Sequence, residues 1–142
     1  MEKIKGTSLI LIFMLTSLLL GCNANKEPEM SEKQVATSFF NAIYNEKDID
    51  KAISLSSTDF RKEIEKYHTA NNVARRFFNM SFDSVSLHTS AQKKQIIDDY
   101  NIQVTMMIQF TGKRDGNNYK DYKKIRLIKD NNQWLVDKLM ED

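Results

Sequence analysis

The chain has 142 residues, 28% of them charged, yet its formal net charge is only +2, and it holds one cysteine, one proline and four glycines. A balance so near neutrality predicts no nucleic-acid partner. The lone cysteine excludes an internal disulfide, and the scarcity of glycine leaves no Gly-rich phosphate loop.

Taken in chain order, the first signal is a leader. Lys3 and Lys5 give a positive start, and Ser8 to Leu20 is almost wholly apolar. That core is shorter than the roughly 20 residues a membrane-spanning helix needs, so the segment reads as a cleaved secretory signal. It closes on Leu19-Leu20-Gly21-Cys22. This tetrapeptide resembles the lipobox of bacterial lipoproteins. The resemblance implies that the Cys22 sulfur is acylated, that cleavage falls just before it, and that the mature protein works outside the cytoplasm, held to a membrane by lipid. Asn23, which follows, implies the outer membrane if the source is Gram-negative. The competing reading is an ordinary signal peptide cut elsewhere, leaving Cys22 as a free thiol, a liability in an oxidising compartment. Residues 1–21 are thus expected to be lost, 22–30 to form a polar tether around Pro28, and 31–142 to form one domain of a size that folds alone.

Ser31 and Gln34 have the spacing of a capping box, and Val35, Phe39 and Ile43, flanked by Ala36, Phe40 and Tyr44, give the broad apolar stripe of a helix over 31–44. Asn45 to Asp48 is a polar break. Asp48 can cap a short helix with Ile49, Ala52, Ile53 and Ser56, and Ser57 or Thr58 can start a third with Phe60, Ile64 and Tyr67. His68 to Asn72 interrupts, and Val73, Phe77 and Met80 suggest a further apolar face. After Ser81 the period changes to two. Val85 and Leu87 share one side of a strand, 90–94 reads as a turn, and Tyr100, Ile102, Val104, Met106, Ile108 and Phe110 alternate with their neighbours as a half-buried strand. A polar loop over 112–118 suits a hairpin. Strands over 119–129 and 134–140, joined by a turn at Asp130-Asn131-Asn132, complete the chain. Helices followed by meandering strands predict an α+β domain: N-terminal helices packed on an antiparallel sheet of about four strands, one face covered and the other wet.

The run Val35-Ala-Thr-Ser-Phe39-Phe40-Asn-Ala-Ile43-Tyr44, the break at Asp48, the segment Ala52-Ile53-Ser54-Leu55 and the ending Asp130-Asn131-Asn132-Gln133-Trp134-Leu135-Val136 resemble the NTF2-like (cystatin-like cone) superfamily, and in particular its small secreted bacterial lipoproteins. The resemblance spans nearly the whole mature domain. It implies a curved sheet wrapped round the first helix. The superfamily includes isomerases and hydrolases, and more binding and accessory domains, so fold does not decide function.

An enzyme of that fold needs an acid or base at an apolar mouth. The inner run Tyr100–Phe110 offers none. His68 and His88 fall at positions expected to be solvated, no spacing suits a metal, and no cofactor is implied. Asp98 and Asp99 are adjacent in a strand and point to opposite faces, so they read as an edge charge. The four candidates for a ligand pocket are Tyr44, Tyr67, Tyr100 and Trp134, each with an apolar body and a polar tip; the competing reading of the same residues is core packing. Seven basic residues against two acidic between Lys113 and Lys129 read as a solvated edge hairpin, or as a contact for anionic lipid headgroups. The expected function is non-catalytic binding of a small apolar ligand or a protein partner at the cell envelope. The alternatives are an isomerase- or hydrolase-type enzyme, and a scaffold subunit acting through its sheet face, including as a homodimer.

Overall fold

A computed structural model describes residues 28–96 and 102–141. Four short helices come first: α1 (Glu32–Asn41), α2 (Ile49–Ser54), α3 (Thr58–Glu65) and α4 (Ala70–Asn72), of which α1 and α4 widen into π turns over Ala42–Glu46 and Val73–Phe77. Four strands follow: β1 (Ser84–Ile96), β2 (Ile102–Arg114), β3 (Asn117–Asp130) and β4 (Gln133–Met140). They form one antiparallel meander in the order β1-β2-β3-β4. The class is α+β, with helices over one face of a curved, unclosed sheet.

Each helix begins where a short polar side chain can accept an orphan amide proton. Ser31 Oγ accepts from Gln34 N while the Gln34 side chain accepts from Ser31 N, the reciprocal capping box. Asp48 caps α2 through Lys51 N, Ser57 caps α3 through Phe60 N, and Thr69 caps α4 through Asn72 N. Lys47 ends the first helical stretch in the left-handed region, at φ 59°.

The core is aromatic at its centre. Phe39, Phe40, Tyr44, Phe78 and Phe110 are each at most 1% exposed. Phe40 meets Phe110 edge-on with ring centroids 5.0 Å apart, so α1 lies directly against the inner face of β2. Along β2 the residues Val104, Met106, Ile108 and Phe110 are buried and their neighbours Thr105, Met107 and Gln109 are not. Ile125 and Leu127 of β3 and Val136 of β4 continue that inner layer.

The structure corrects the sequence in three places. The interruption expected over 68–72 holds the start of a helix: Thr69 caps α4, which begins at Ala70. The turn expected at 90–94 is absent: β1 runs through it to Ile96, with a bulge between Ser90 and Gln92. A bulge inserts a residue and shifts the side-chain phase, which breaks the alternation that marks a strand. The polar loop expected over 112–118 shrinks to the two residues Asp115 and Gly116. Both have positive φ (51° and 78°), and Arg114 pairs with Asn117 across them. Two positive φ angles form the mirror-image turn that matches strand twist. The second hairpin turns the same way at Asn131 and Asn132, with φ 46° and 67°. Gly112 is part of β2, paired with Val85 and Tyr119, and nothing larger fits there: an added Cβ would sit 2.5 Å from Ser84 O and 2.6 Å from the Phe82 ring.

Both edges of the sheet are met by other parts of the chain. Asn45 reaches β1, accepting from Val85 N at 3.3 Å and donating to Val85 O at 3.1 Å. At the other edge the α2–α3 linker runs beside β4, with Ser57 N donating to Val136 O at 2.8 Å and Val136 N to Leu55 O at 2.9 Å. Pairing of this kind satisfies edge amides that would otherwise invite another strand.

Candidate functional site

The concave side of the sheet is filled by aromatic and aliphatic side chains. Among the described residues the buried polar ones are Ser56 and Ser57. Each is bonded locally: Ser56 Oγ donates to Ala52 O at 2.8 Å, and Ser57 Oγ accepts from Phe60 N. The acids of α2 and α3 (Asp50, Asp59, Glu63, Glu65) are exposed. Asp121 is exposed as well. It pairs with Phe110, which puts it on the inner side just beyond the covered core. His68 and His88 are exposed, and among the described residues no three His, Cys, Asp or Glu side chains cluster as a metal site.

Of the candidate pocket residues, Tyr44, Tyr67 and Trp134 are among the described residues, and they lie in three different places. Tyr44 is buried in the aromatic centre, its ring 5.4 Å from that of Phe110 and its hydroxyl donating to Met80 O at 3.4 Å. Tyr67 is half-buried and packs on Phe77 at the helical end. Tyr100 and Cys22 lie outside the described residues. Trp134 stands apart from both tyrosines, at the turn joining β3 and β4. Residue type alone suggested all four, since an aromatic ring with a polar tip suits a rim and a core equally.

Burial drives the Tyr44 phenol well above its ordinary pKa of 10.0, and the nearby Asp121 carboxylate adds to the effect. A raised value in the folded state means that the unfolded chain releases this proton first. Stability from this group is therefore full below about pH 10 and is lost progressively as the pH rises from there. In a spectrophotometric titration, Tyr44 should give an ionisation step well above pH 10, in step with alkaline unfolding. Tyr44→Phe should remove that step; its persistence in the variant would refute the assignment.

Trp134 lines a surface cleft of about 580 Å³. Met30, Val35, Leu55 and Trp134 supply apolar walls, and Asn131, Asn132 and Gln133 supply amides at the turn. One side is closed by the segment entering the domain. Glu29 meets Lys129 Nζ at 3.0 Å and accepts from Asn132 Nδ2 at 2.7 Å, while Lys129 Nζ lies 5.8 Å from the centre of the Trp134 ring. Sequence reasoning named Trp134 but missed its partners. Residues 28–30 read as tether, and Leu55 as part of a helix.

No family model, curated protein or solved structure matches the chain.

Proposed function

We propose that the chain is an extracytoplasmic lipoprotein, anchored through an acylated Cys22, whose NTF2-like domain binds a small amphipathic ligand without transforming it. The NTF2-like assignment is supported by the order of elements: a first helix extended by a π turn, an Asp-capped second helix, a meander curved over α1 and a final hairpin carrying Trp134. The leader ending at Gly21-Cys22 supports the anchor.

The observation that carries the binding reading is the Trp134 cleft. Its volume falls within the range of roughly 300–1,000 Å³ usual for small-molecule sites, and it combines apolar walls with a few convergent amides. An apolar body would displace water from Leu55 and Trp134 while the Asn131, Asn132 and Gln133 amides hydrogen-bond its polar end. The filled concave side supports binding over catalysis, because buried space there is taken by Phe40, Tyr44 and Phe110 and not by an acid beside a void.

Trp134 is the only tryptophan, so emission excited selectively from tryptophan reports this cleft. Screening amphipathic small molecules should yield compounds that shift Trp134 emission and raise the melting temperature. Ser54→Phe, at an exposed position of the cleft lining, should block those compounds without lowering the melting temperature. Compounds that bind Ser54→Phe as tightly as the parent would sink the reading.

A further inference from the structure

Strand register divides the basic stretch between the two faces of the sheet. Residues paired across strands share a face. Met107, on the face opposite the core, pairs with Lys124 in β3; likewise Thr105 pairs with Arg126, Thr111 with Lys120, and Lys113 with Ser84. Lys93 of β1 pairs with Thr105, and Lys138 of β4 with Arg126. The outer face therefore carries Lys93, Lys113, Lys120, Lys124, Arg126 and Lys138. The register places one acid there, Asp130 at the turn, and Asp137, at the bulge in the β3–β4 pairing, is held by Arg126. Among the described residues no carboxylate lies within ion-pair distance of the five lysines.

Apolar side chains stand among these charges. Met107 and Met140 flank a depression of about 430 Å³ that Lys93 and Lys124 also line. Tyr122 is 45% exposed and pairs with Gln109 on the same face, where Ile128 pairs with Leu135. Cations on long apolar stems, interleaved with methionine, leucine and tyrosine, suit the boundary between headgroups and acyl chains.

We infer that the outer sheet face docks on an anionic phospholipid bilayer, so that the domain lies flat on the membrane that anchors it. The inference rests on the lipid-anchor reading for its tether. Cys22 stands six positions before Pro28, where the described residues begin, a separation of at most about 20 Å. The chain enters the domain at the β3–β4 turn, where Glu29 meets Lys129 and Asn132. At about 3.3 Å per residue, β3 extends roughly 45 Å from that turn, so a domain lying on its side turns the cationic face, and not its end, to the headgroups. Each basic residue near an anionic surface strengthens association about fivefold. A second copy of the chain is a poor occupant, because a two-fold interface would set like charges against each other.

Lysine acetylation of the full chain, reconstituted in vesicles and read by mass spectrometry, tests this. On vesicles containing about 30% phosphatidylglycerol, Lys93, Lys120, Lys124 and Lys138 should react several-fold more slowly than on pure phosphatidylcholine. High salt should reverse the protection. Lys62 and Lys66, exposed in and just after α3, should be unaffected. Equal rates on the two vesicle types, or protection of Lys62 and Lys66 instead, would overturn the docking face. So would protection that grows with protein concentration without lipid, or that a soluble polyanion reproduces. The intact mass of the same sample reports acylation. If Cys22 carries no lipid, the anchor reading fails separately, and the chain is then mixed with vesicles to test docking alone.

Discussion

Met106→Asp should unfold the domain or lower its melting temperature severely, while Met107→Asp, the same change one residue later, should be nearly silent. Met106 is fully buried and pairs with Ile125 on the core side of β2. A carboxylate there would lose its water and gain no partner, which costs several kcal/mol out of a total stability of about 5–15 kcal/mol. Met107 is half-exposed on the outer face and pairs with Lys124, so an aspartate there stays hydrated and gains a cation across the strand. Thermal melts of the two variants side by side are the measurement. Equal losses would mean that the register of β2 is wrong, because a one-residue slip exchanges the two faces.

Cys22→Ser should abolish incorporation of labelled fatty acid, and the chain should keep residues 1–21. In the parent, the intact mass should show those residues lost and an acyl group gained. Cys22 is the only thiol in the chain, so no other cysteine can substitute. Label and mass are the deciding readouts, since an uncleaved apolar leader could hold the variant at a membrane by itself. Persistent acylation of the variant would refute Cys22 as the attachment site. The same variant separates two contributions to membrane residence. Acyl chains give salt-insensitive retention, whereas contacts made by Lys93, Lys124 and their neighbours weaken as ionic strength rises.

The starts of the first three helices and the phase of β2 were legible in the sequence because both are local; the start of α4 at Ala70 was not, because it lies in a polar run with no apolar period. Ser31, Asp48 and Ser57 each act on an amide three residues away, and a strand with one covered face must alternate from Ile102 to Phe110. The α+β class followed from that order of periods. The sequence also carries the apolar run that ends at the lone Cys22, on which the anchor proposal rests. Only the tertiary structure decided where β1 ends, because the bulge at Ser90 conceals a strand whose partner is β2. It alone decided that Tyr44 serves the core while Trp134 lines a cleft, since the same amphipathic ring suits either place until its neighbours are known. It alone joined Glu29 to Lys129 and Asn45 to Val85, contacts between residues 40 or more positions apart. The lysines between 113 and 129 are a mixed run in one dimension. Pairing β3 with β2 and β4 fixes which way each side chain points, and that sorting turns a nearly neutral chain into a domain with one cationic face.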